Sequence, residues 1–327
     1  MPCLNKSWTC WARLSKIGAP GTDGIAGCTK SPGVLEYPPF AMTTLIPIQS
    51  TDLLQTFLEL YWFAPPVALW RAVEARAVAR HRFYAPMLDF GCGHGRFAAA
   101  IFGTDRPINV GCDLLHFQLA VARDGGAYQV VARADGHHLS YPDGAFATVF
   151  SNSVLEHIPD PSPVLAEVAR VLQPGGRLII TVPSDRFHDY LATSRWHRAR
   201  GQLGLAAAYE AAIDQRLQHY HYHTPNEWAR LFHEAGLALV GENYYMAPAV
   251  AAEWDRLNQQ YGIGHRSPFS ILVSPRLRRL GYQRLMVRFL PRLLDRRLRP
   301  FYDMNLQPGE AGAGLLLVAE RAIKPVW

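Results

Sequence analysis

Pro86-Met87-Leu88-Asp89-Phe90-Gly91-Cys92-Gly93-His94-Gly95-Arg96-Phe97 is the stretch whose reading decides the fold. A short apolar run ends in an acid and passes into three alternating glycines before a helical pattern, which predicts a strand, a tight turn and a helix start. Glycines at 91, 93 and 95 remove Cβ atoms where the backbone must bend sharply, and they let a ligand lie against it. The amides at the first turn of the following helix then face that ligand. In the nicotinamide fingerprint the glycines run G-x-G-x-x-G against a pyrophosphate. Here they run G-x-G-x-G, and Asp89 precedes the first by two residues. A carboxylate at that point repels pyrophosphate and suits a ligand carrying an ammonium or sulfonium group. Taken alone, such a loop is equally a plain turn.

Outward from it, the alternation of buried strand and helix continues. Phe97 to Phe102 extends the helix, and Ile108-Asn109-Val110-Gly111-Cys112-Asp113 is a second apolar strand ending in an acid. Asp113 lies about 20 residues beyond the glycines, where a βαβ unit places a carboxylate for both hydroxyls of a ribose. A lone acid at a strand end is otherwise often a helix cap. Tyr128 to Ala132 reads as a third strand, followed by Arg133-Ala134-Asp135-Gly136, whose Asp-Gly is also a common turn dipeptide. A fourth strand from Phe146 opens at Ser151 and Asn152 into a loop holding Leu155-Glu156-His157-Ile158-Pro159-Asp160-Pro161. The helix from Pro161 to Leu172 is stopped by Gln173-Pro174-Gly175-Gly176, and Arg177 to Val182 starts a fifth strand.

The acid and glycine turn resemble the first motif of class I S-adenosylmethionine-dependent methyltransferases. The Leu155 to Pro161 loop followed by Leu172-Gln173-Pro174-Gly175-Gly176 is similar to the quinone-biosynthesis-like small-molecule group, type 11. The resemblance covers about residues 84 to 184, resumes at 219 to 246 and closes with 314 to 324. It implies an α/β, Rossmann-like, doubly wound sheet of seven strands, with the sixth over Leu237 to Tyr245 and the last, antiparallel, over Gly314 to Glu320. S-adenosyl-L-methionine is the implied cofactor. By position, Asp89 would stabilise its cationic methionine end, while Gly91, Gly93 and Gly95 allow close approach. Asp113 would hold the ribose, Asp135 the adenine amino group and the Gly136 amide a ring nitrogen, with Ser151 and Asn152 at the cleft.

An oxygen or nitrogen acceptor must lose a proton at or before transfer, which makes His157 the candidate base and Glu156 its orienting or substrate-binding partner. The same pair has a plainer reading, capping and fixing the loop. In the ubiquinone-type members a further acid stands three residues before the matching Glu, and the set has been tied to a divalent metal. Here that place is Ser153, so no metal is predicted.

The rest of the chain divides around this core. Residues 1–41 lack periodicity and are expected as a poorly ordered leader, with Met42 a candidate start. Residues 42–83 should form helices covering the cleft: one from Asp52 to Phe63, capped by Ser50 or Thr51, and one after Pro65-Pro66 running toward Arg80. The core spans 84–246 plus 314–324. Within it His219, His221 and His223 alternate as if on one strand face, a pattern open to metal ligation or to a plain aromatic lead-in. Thr224 and Glu227 are placed as a capping box with Pro225 at the first helical position.

Residues 247–312 form a basic amphipathic insertion. Arg284, Arg288, Arg292 and Arg296 recur every four residues beside Leu277, Leu285, Phe289 and Leu293, while Leu280, Met286, Leu290 and Leu294 widen the apolar face and Pro291 should kink it. Such a segment, 276–299, suits peripheral membrane contact or a lid, and equally an ordinary solvated face.

The chain has 327 residues, 49% hydrophobic and 18% charged, enough for one sizeable core. Its net charge of +6 is modest, and the arginines crowd into 266–299, so no nucleic-acid partner is expected. Five cysteines at 3, 10, 28, 92 and 112 lack zinc-site spacing and point to free thiols in a reducing compartment. No apolar run approaches the roughly 20 residues that cross a bilayer. The reading is a cytoplasmic enzyme, peripheral at most to the inner membrane surface, acting on a small or lipid-linked acceptor. A nicotinamide-dependent oxidoreductase and a non-catalytic membrane-associated module are the alternatives.

Overall fold

A computed structural model describes residues 45–46, 52–261, 282–307 and 309–323. The expected leader, Cys3, Cys10, Cys28, Met42, Ser50, Thr51, Leu277 and Leu280 lie outside the described residues, as do the side chains of Arg284 and Leu285.

A two-residue strand β1 (Leu45–Ile46) precedes helices α1 (Leu53–Leu60) and α2 (Pro65–Val78). Asp52 caps α1, accepting a hydrogen bond from the Gln55 amide at 3.2 Å, so the cap lies one residue beyond the expected Ser50 or Thr51. Pro65 begins α2 because a first-turn residue needs no amide hydrogen. Strand β2 (Phe83–Tyr84) pairs with β1. The core follows as β3 (Met87–Phe90), α3 (Arg96–Phe102), β4 (Ile108–Asp113), α4 (His116–Asp124), β5 (Tyr128–Arg133), β6 (Phe146–Asn152), α5 (Ser162–Val171) and β7 (Leu172–Pro183). Next come α6 (Ala192–Arg198), α7 (Leu203–Leu217), α8 (Pro225–Glu234), β8 (Leu237–Tyr245), α9 (Pro248–Tyr261), α10 (Gln283–Tyr302) and β9 (Gly314–Arg321).

Seven strands form one sheet in the order β5-β4-β3-β6-β7-β9-β8, and β9 runs antiparallel to both neighbours. The expected α/β doubly wound sheet is therefore present. Strand β3 is buried along its whole length, as a central parallel strand covered on both faces must be. One core cluster gathers Phe57, Leu69, Val73 and Phe83 with Trp254 and Leu298; a second gathers Val164, Leu165 and Val168 with Trp228 and Phe232. The strand order reverses between β4 and β6, on either side of β3, and an open α/β sheet keeps its ligand crevice at such a switch point.

Two expectations change. Residues Pro174-Gly175-Gly176 do not separate a turn from the fifth strand: β7 runs from Leu172, paired with Phe146, and the register slips before Thr148 meets Arg177. The Gly-Gly pair thus forms an irregularity within a strand. The segment 219–223 is not a strand, so its histidines share no strand face. The capping box of α8 is present as expected.

The insertion packs on the N-terminal helices. Arg299 Nη2 lies 2.7 Å from Asp52 Oδ2, and the Arg76 guanidinium sits 4.9 Å from the Tyr302 ring centroid. Helix α10 continues across Pro291, and its buried stripe is Leu294 and Leu298 beside the partly buried Leu290, whereas Phe289 and Leu293 face solvent. The stripe drawn through Phe289 and Leu293 is therefore the outer one.

Candidate active site

At the end of β3 the chain turns through Gly91, whose φ is +76°. A Cβ there would stand 2.3 Å from Val154 Cγ2, so backbone conformation and packing both demand glycine. Beneath the turn, the Tyr128 ring fills the space over Gly111, where a Cβ would come within 2.8 Å of it. Its hydroxyl donates to Asp89 Oδ2 at 2.5 Å. Asp89 is buried, and burial pushes its carboxyl up to about 7, the Tyr128 hydrogen bond opposing the rise. The acid named from the sequence is therefore poised between charged and neutral near physiological pH.

Asp113, at the end of β4, accepts from the Gly93 amide on Oδ2 at 2.9 Å and from the Leu115 amide on Oδ1 at 2.8 Å. Burial raises its pKa. A carboxylate has about four lone-pair sites, so backbone amides leave this one able to accept from a vicinal diol. Asp135 is largely exposed; its Oδ1 accepts from the His137 amide at 3.0 Å and lies 2.8 Å from His137 Nδ1, which lowers its pKa. Gly136 packs where a Cβ would meet Phe90 Cζ at 2.5 Å.

Ser151 is buried with its hydroxyl unpartnered, and Asn152 donates to Thr181 Oγ1. Helix α2 delivers two residues to this end of β6 that the sequence did not single out. Arg71 donates to Glu74 at 2.6 Å, to Asn152 Oδ1 at 3.0 Å and to Ser153 Oγ at 3.2 Å, and lies 5.7 Å from the Phe97 ring centroid. Glu74, fully buried, also accepts from Ser153 Oγ at 2.8 Å and from the Tyr245 hydroxyl at 3.1 Å. Ser153 adopts φ +51°, unusual for a residue with a side chain, and the network holds it there. An arginine and a glutamate three apart on a helix read as a surface pair; only their burial shows otherwise.

Glu156 and His157 stand on a 3-10 turn (Leu155–His157), with His157 Nε2 4.0 Å from Glu156 Oε1. Burial pushes the Glu156 carboxyl up to about 8 and the His157 imidazole down to about 4. His157 Nδ1 lies 3.1 Å from the Gln218 carbonyl, which can only accept, so Nδ1 carries the proton and Nε2 the lone pair. His219 joins this pair, its ring centroid 5.2 Å from that of His157. His221 and His223 instead stack on each other at 4.3 Å and pack against Trp228.

The sequence pattern that defines a methyltransferase-domain family matches residues 67–242, more than half of the chain and the whole span from α2 into β8. The chain belongs to this family. It is a class I S-adenosylmethionine-dependent methyltransferase, which sets aside the nicotinamide reading. Relatives include the ubiquinone biosynthesis O-methyltransferase of Aromatoleum aromaticum, 27% identical over 195 residues that cover 57% of this chain and 75% of that one. The protein of the same name from Thiobacillus denitrificans is 32% identical over 170 residues, 48% of this chain and 68% of that one. A solved S-adenosylmethionine-dependent methyltransferase of Thermotoga maritima is 15% identical with a TM-score of 0.48, covering 82% of this chain and 99% of that one.

The residues of this methyltransferase fit its cofactor. Two acids at neighbouring strand ends, a glycine turn and a cation on α2 surround the switch point, and His94 Nε2, Ser151 Oγ and Glu156 Oε2 are buried there without partners. Unpaired buried polar atoms are rare in folded proteins, and a polar ligand is one cause of them. Among the described residues no helix is long and apolar enough to cross a membrane.

Proposed function

We propose that this methyltransferase moves the methyl group of S-adenosylmethionine to an oxygen of a small aromatic acceptor with an apolar tail. The observation that carries the reading is the line of rings leading from His157. His219 is 6.0 Å from Phe187, which stacks on Tyr222 at 5.5 Å and meets Trp70 and Trp254 edge-on at 5.8 and 5.6 Å. These rings are core-packed, Phe187 and Trp254 being buried, and they back a lone-pair nitrogen and a carboxyl group with an apolar surround that suits a ring bearing a hydroxyl. The names of the two quinone-pathway relatives agree with it.

In this reading Asp113 holds the ribose hydroxyls, and Asp135 and the Gly136 amide meet the adenine. Gly91, Gly93 and Gly95 let the methionine chain approach, with Asp89 facing its ammonium group. Arg71, between Phe97 and Asn152, faces its carboxylate. The donor supplies an already activated methyl group on a sulfonium. With the donor bound, an acceptor oxygen would take the methyl group and the donor would leave as a neutral thioether, while His157 Nε2, oriented by the Gln218 carbonyl, would accept the hydroxyl proton. The protein's task is alignment and exclusion of water.

Transfer of labelled methyl from S-adenosylmethionine into phenolic acceptors tests this. His157→Ala should lower kcat by about 10²–10⁴-fold with cofactor affinity kept. Equal turnover by the variant, or label found only in nitrogen or carbon products, would contradict it.

The outer face of α10 presents Phe289 and Leu293, 54% and 65% exposed, beside the exposed Arg288, Arg292 and Arg296. An anionic lipid surface matches both its charge and its apolar tips. The Arg288→Ser, Arg292→Ser double variant should bind anionic vesicles roughly 30-fold more weakly, at about 1 kcal/mol per arginine. Unchanged co-sedimentation would remove membrane contact from the account.

A further inference from the structure

We propose that His219 relays the acceptor's proton: the proton taken up at His157 Nε2 passes to His219 Nε2 and leaves from there to water, with Tyr222 and Asp214 behind His219 as its positioning pair. The inference rests on His157 being the base, as read above. His219 acts through His157 and not on the acceptor itself.

His157 cannot unload through its other nitrogen. Its Nδ1 lies 3.1 Å from the Gln218 carbonyl, which accepts that hydrogen bond and carries no proton onward. A proton gained at Nε2 must therefore leave from Nε2, on the side where the methylated product still sits. The His219 ring stands close by, its centroid 5.2 Å from that of His157 with the planes at 49°. Side-chain nitrogens of the two residues lie within 4.8 Å of each other. One water molecule spans such a gap with two ordinary hydrogen bonds.

The hydrogen bonds behind His219 fix which of its nitrogens carries the lone pair. The Tyr222 hydroxyl donates to Asp214 Oδ1 at 2.5 Å, because a carboxylate only accepts. The Tyr222 oxygen is then the acceptor for His219 Nδ1 at 3.0 Å, so Nδ1 keeps its proton and Nε2 holds the lone pair. His188 Nε2 lies 2.8 Å from the same Asp214 oxygen and steadies the carboxylate from another element. Three separate pieces of chain thus converge behind one imidazole: the 3-10 turn His188–Tyr190, the last turn of α7 and the segment 219–223.

The transfer balances in protons and charge. His157 gives up its Nε2 proton and returns to neutral, and His219 becomes the imidazolium. The His219 Nδ1 proton stays in place throughout, and its bond to Tyr222 strengthens because the Asp214 charge lies one hydroxyl away. When the product leaves, water takes the Nε2 proton and both rings are neutral again. Burial and the neighbouring histidines hold the His219 imidazole well below its ordinary pKa, so it releases the proton readily. Glu156 does not compete for it: burial pushes that carboxyl up to about 8, and it is already protonated at pH 7.

The test follows labelled-methyl transfer from S-adenosylmethionine to phenolic acceptors with the full chain. His219→Gly should lower kcat about 10–100-fold, the size of a lost hydrogen bond to a charged group, with the acceptor KM and cofactor affinity within about twofold. Added imidazole, entering the space left by the ring, should restore at least a tenfold part of the loss. Tyr222→Phe keeps its ring on Phe187, and Asp214→Asn keeps an oxygen for the Tyr222 hydroxyl; each should lower kcat about tenfold without rescue by imidazole. Turnover of His219→Gly within twofold of wild type, or a loss confined to KM, overturns the relay. So does a loss that imidazole leaves in place while Tyr222→Phe turns over normally. A slow His157→Ala beside a normal His219→Gly refutes only the relay. A His157→Ala variant at the wild-type rate, or a wild-type protein that methylates no phenol, refutes the reading on which it rests.

Discussion

Asp89→Asn should weaken S-adenosylmethionine binding roughly 10–100-fold and at the same time stabilise the fold above pH 7. The two effects share one cause. In the folded protein burial holds the Asp89 carboxyl at about 7, far above the value of about 3.9 in an unfolded chain. The folded state therefore keeps this proton between about pH 4 and 7 while the unfolded state has lost it. Stability from this group is full below pH 4 and is lost as pH rises through 7. Asparagine keeps an oxygen for the Tyr128 hydroxyl and removes the buried charge, so the variant should melt at a higher temperature at pH 8. It also removes the carboxylate proposed to face the cofactor's ammonium group, a charged contact of about 1.5–3 kcal/mol. For the wild-type protein the same group makes cofactor affinity fall as pH drops from 7.5 to 5.5. Calorimetric titration across that range, with thermal melts of both proteins, checks all three outcomes. A pH-independent affinity, or a variant that binds normally, would detach Asp89 from the cofactor.

Arg71→Ala should destabilise the protein by about 3–5 kcal/mol. It strands Glu74, a fully buried carboxylate, without its cation, and broken buried ion pairs carry penalties of that size. A second variant separates structure from function. In the Arg71→Ala, Glu74→Gln double variant no buried charge is left uncompensated, and the amide can still accept from Ser153 and Tyr245. Much of the lost stability should return. Cofactor affinity should stay at least tenfold weak, because no cation remains between Phe97 and Asn152 to meet a carboxylate. Urea unfolding and calorimetry on the four proteins of the cycle measure both quantities. Recovery of affinity in the double variant would make Arg71 a structural residue only.

The fold was legible because its signals are local. An apolar run, an acid, alternating glycines and a helical pattern occupy Met87 to Phe102, where the φ of Gly91 and the buried length of β3 enforce them; the capping box of α8 is a second signal of the same local kind. The acids Asp89 and Asp113 were legible for the same reason, since strand ends place them at the switch point. What stayed hidden depends on tertiary contact. Arg71 and Glu74 have the spacing of a solvated ion pair, and only their burial against β6 gives them another meaning. His219 was grouped with His221 and His223 by strand alternation, but Gln218 adopts φ +59° after α7 and the segment that follows is not extended as a strand. In α10 two apolar stripes compete, and packing on α1 and α2 selects Leu290, Leu294 and Leu298 over Phe289 and Leu293.

The most direct measurement is a crystal structure of the full chain with S-adenosylmethionine bound. The account predicts the ribose diol on Asp113, the methionine end between Asp89, Gly93 and Arg71, and the sulfonium methyl directed at Glu156 and His157. A donor seated away from these carboxylates, or one whose methyl group faces another wall of the crevice, would contradict it.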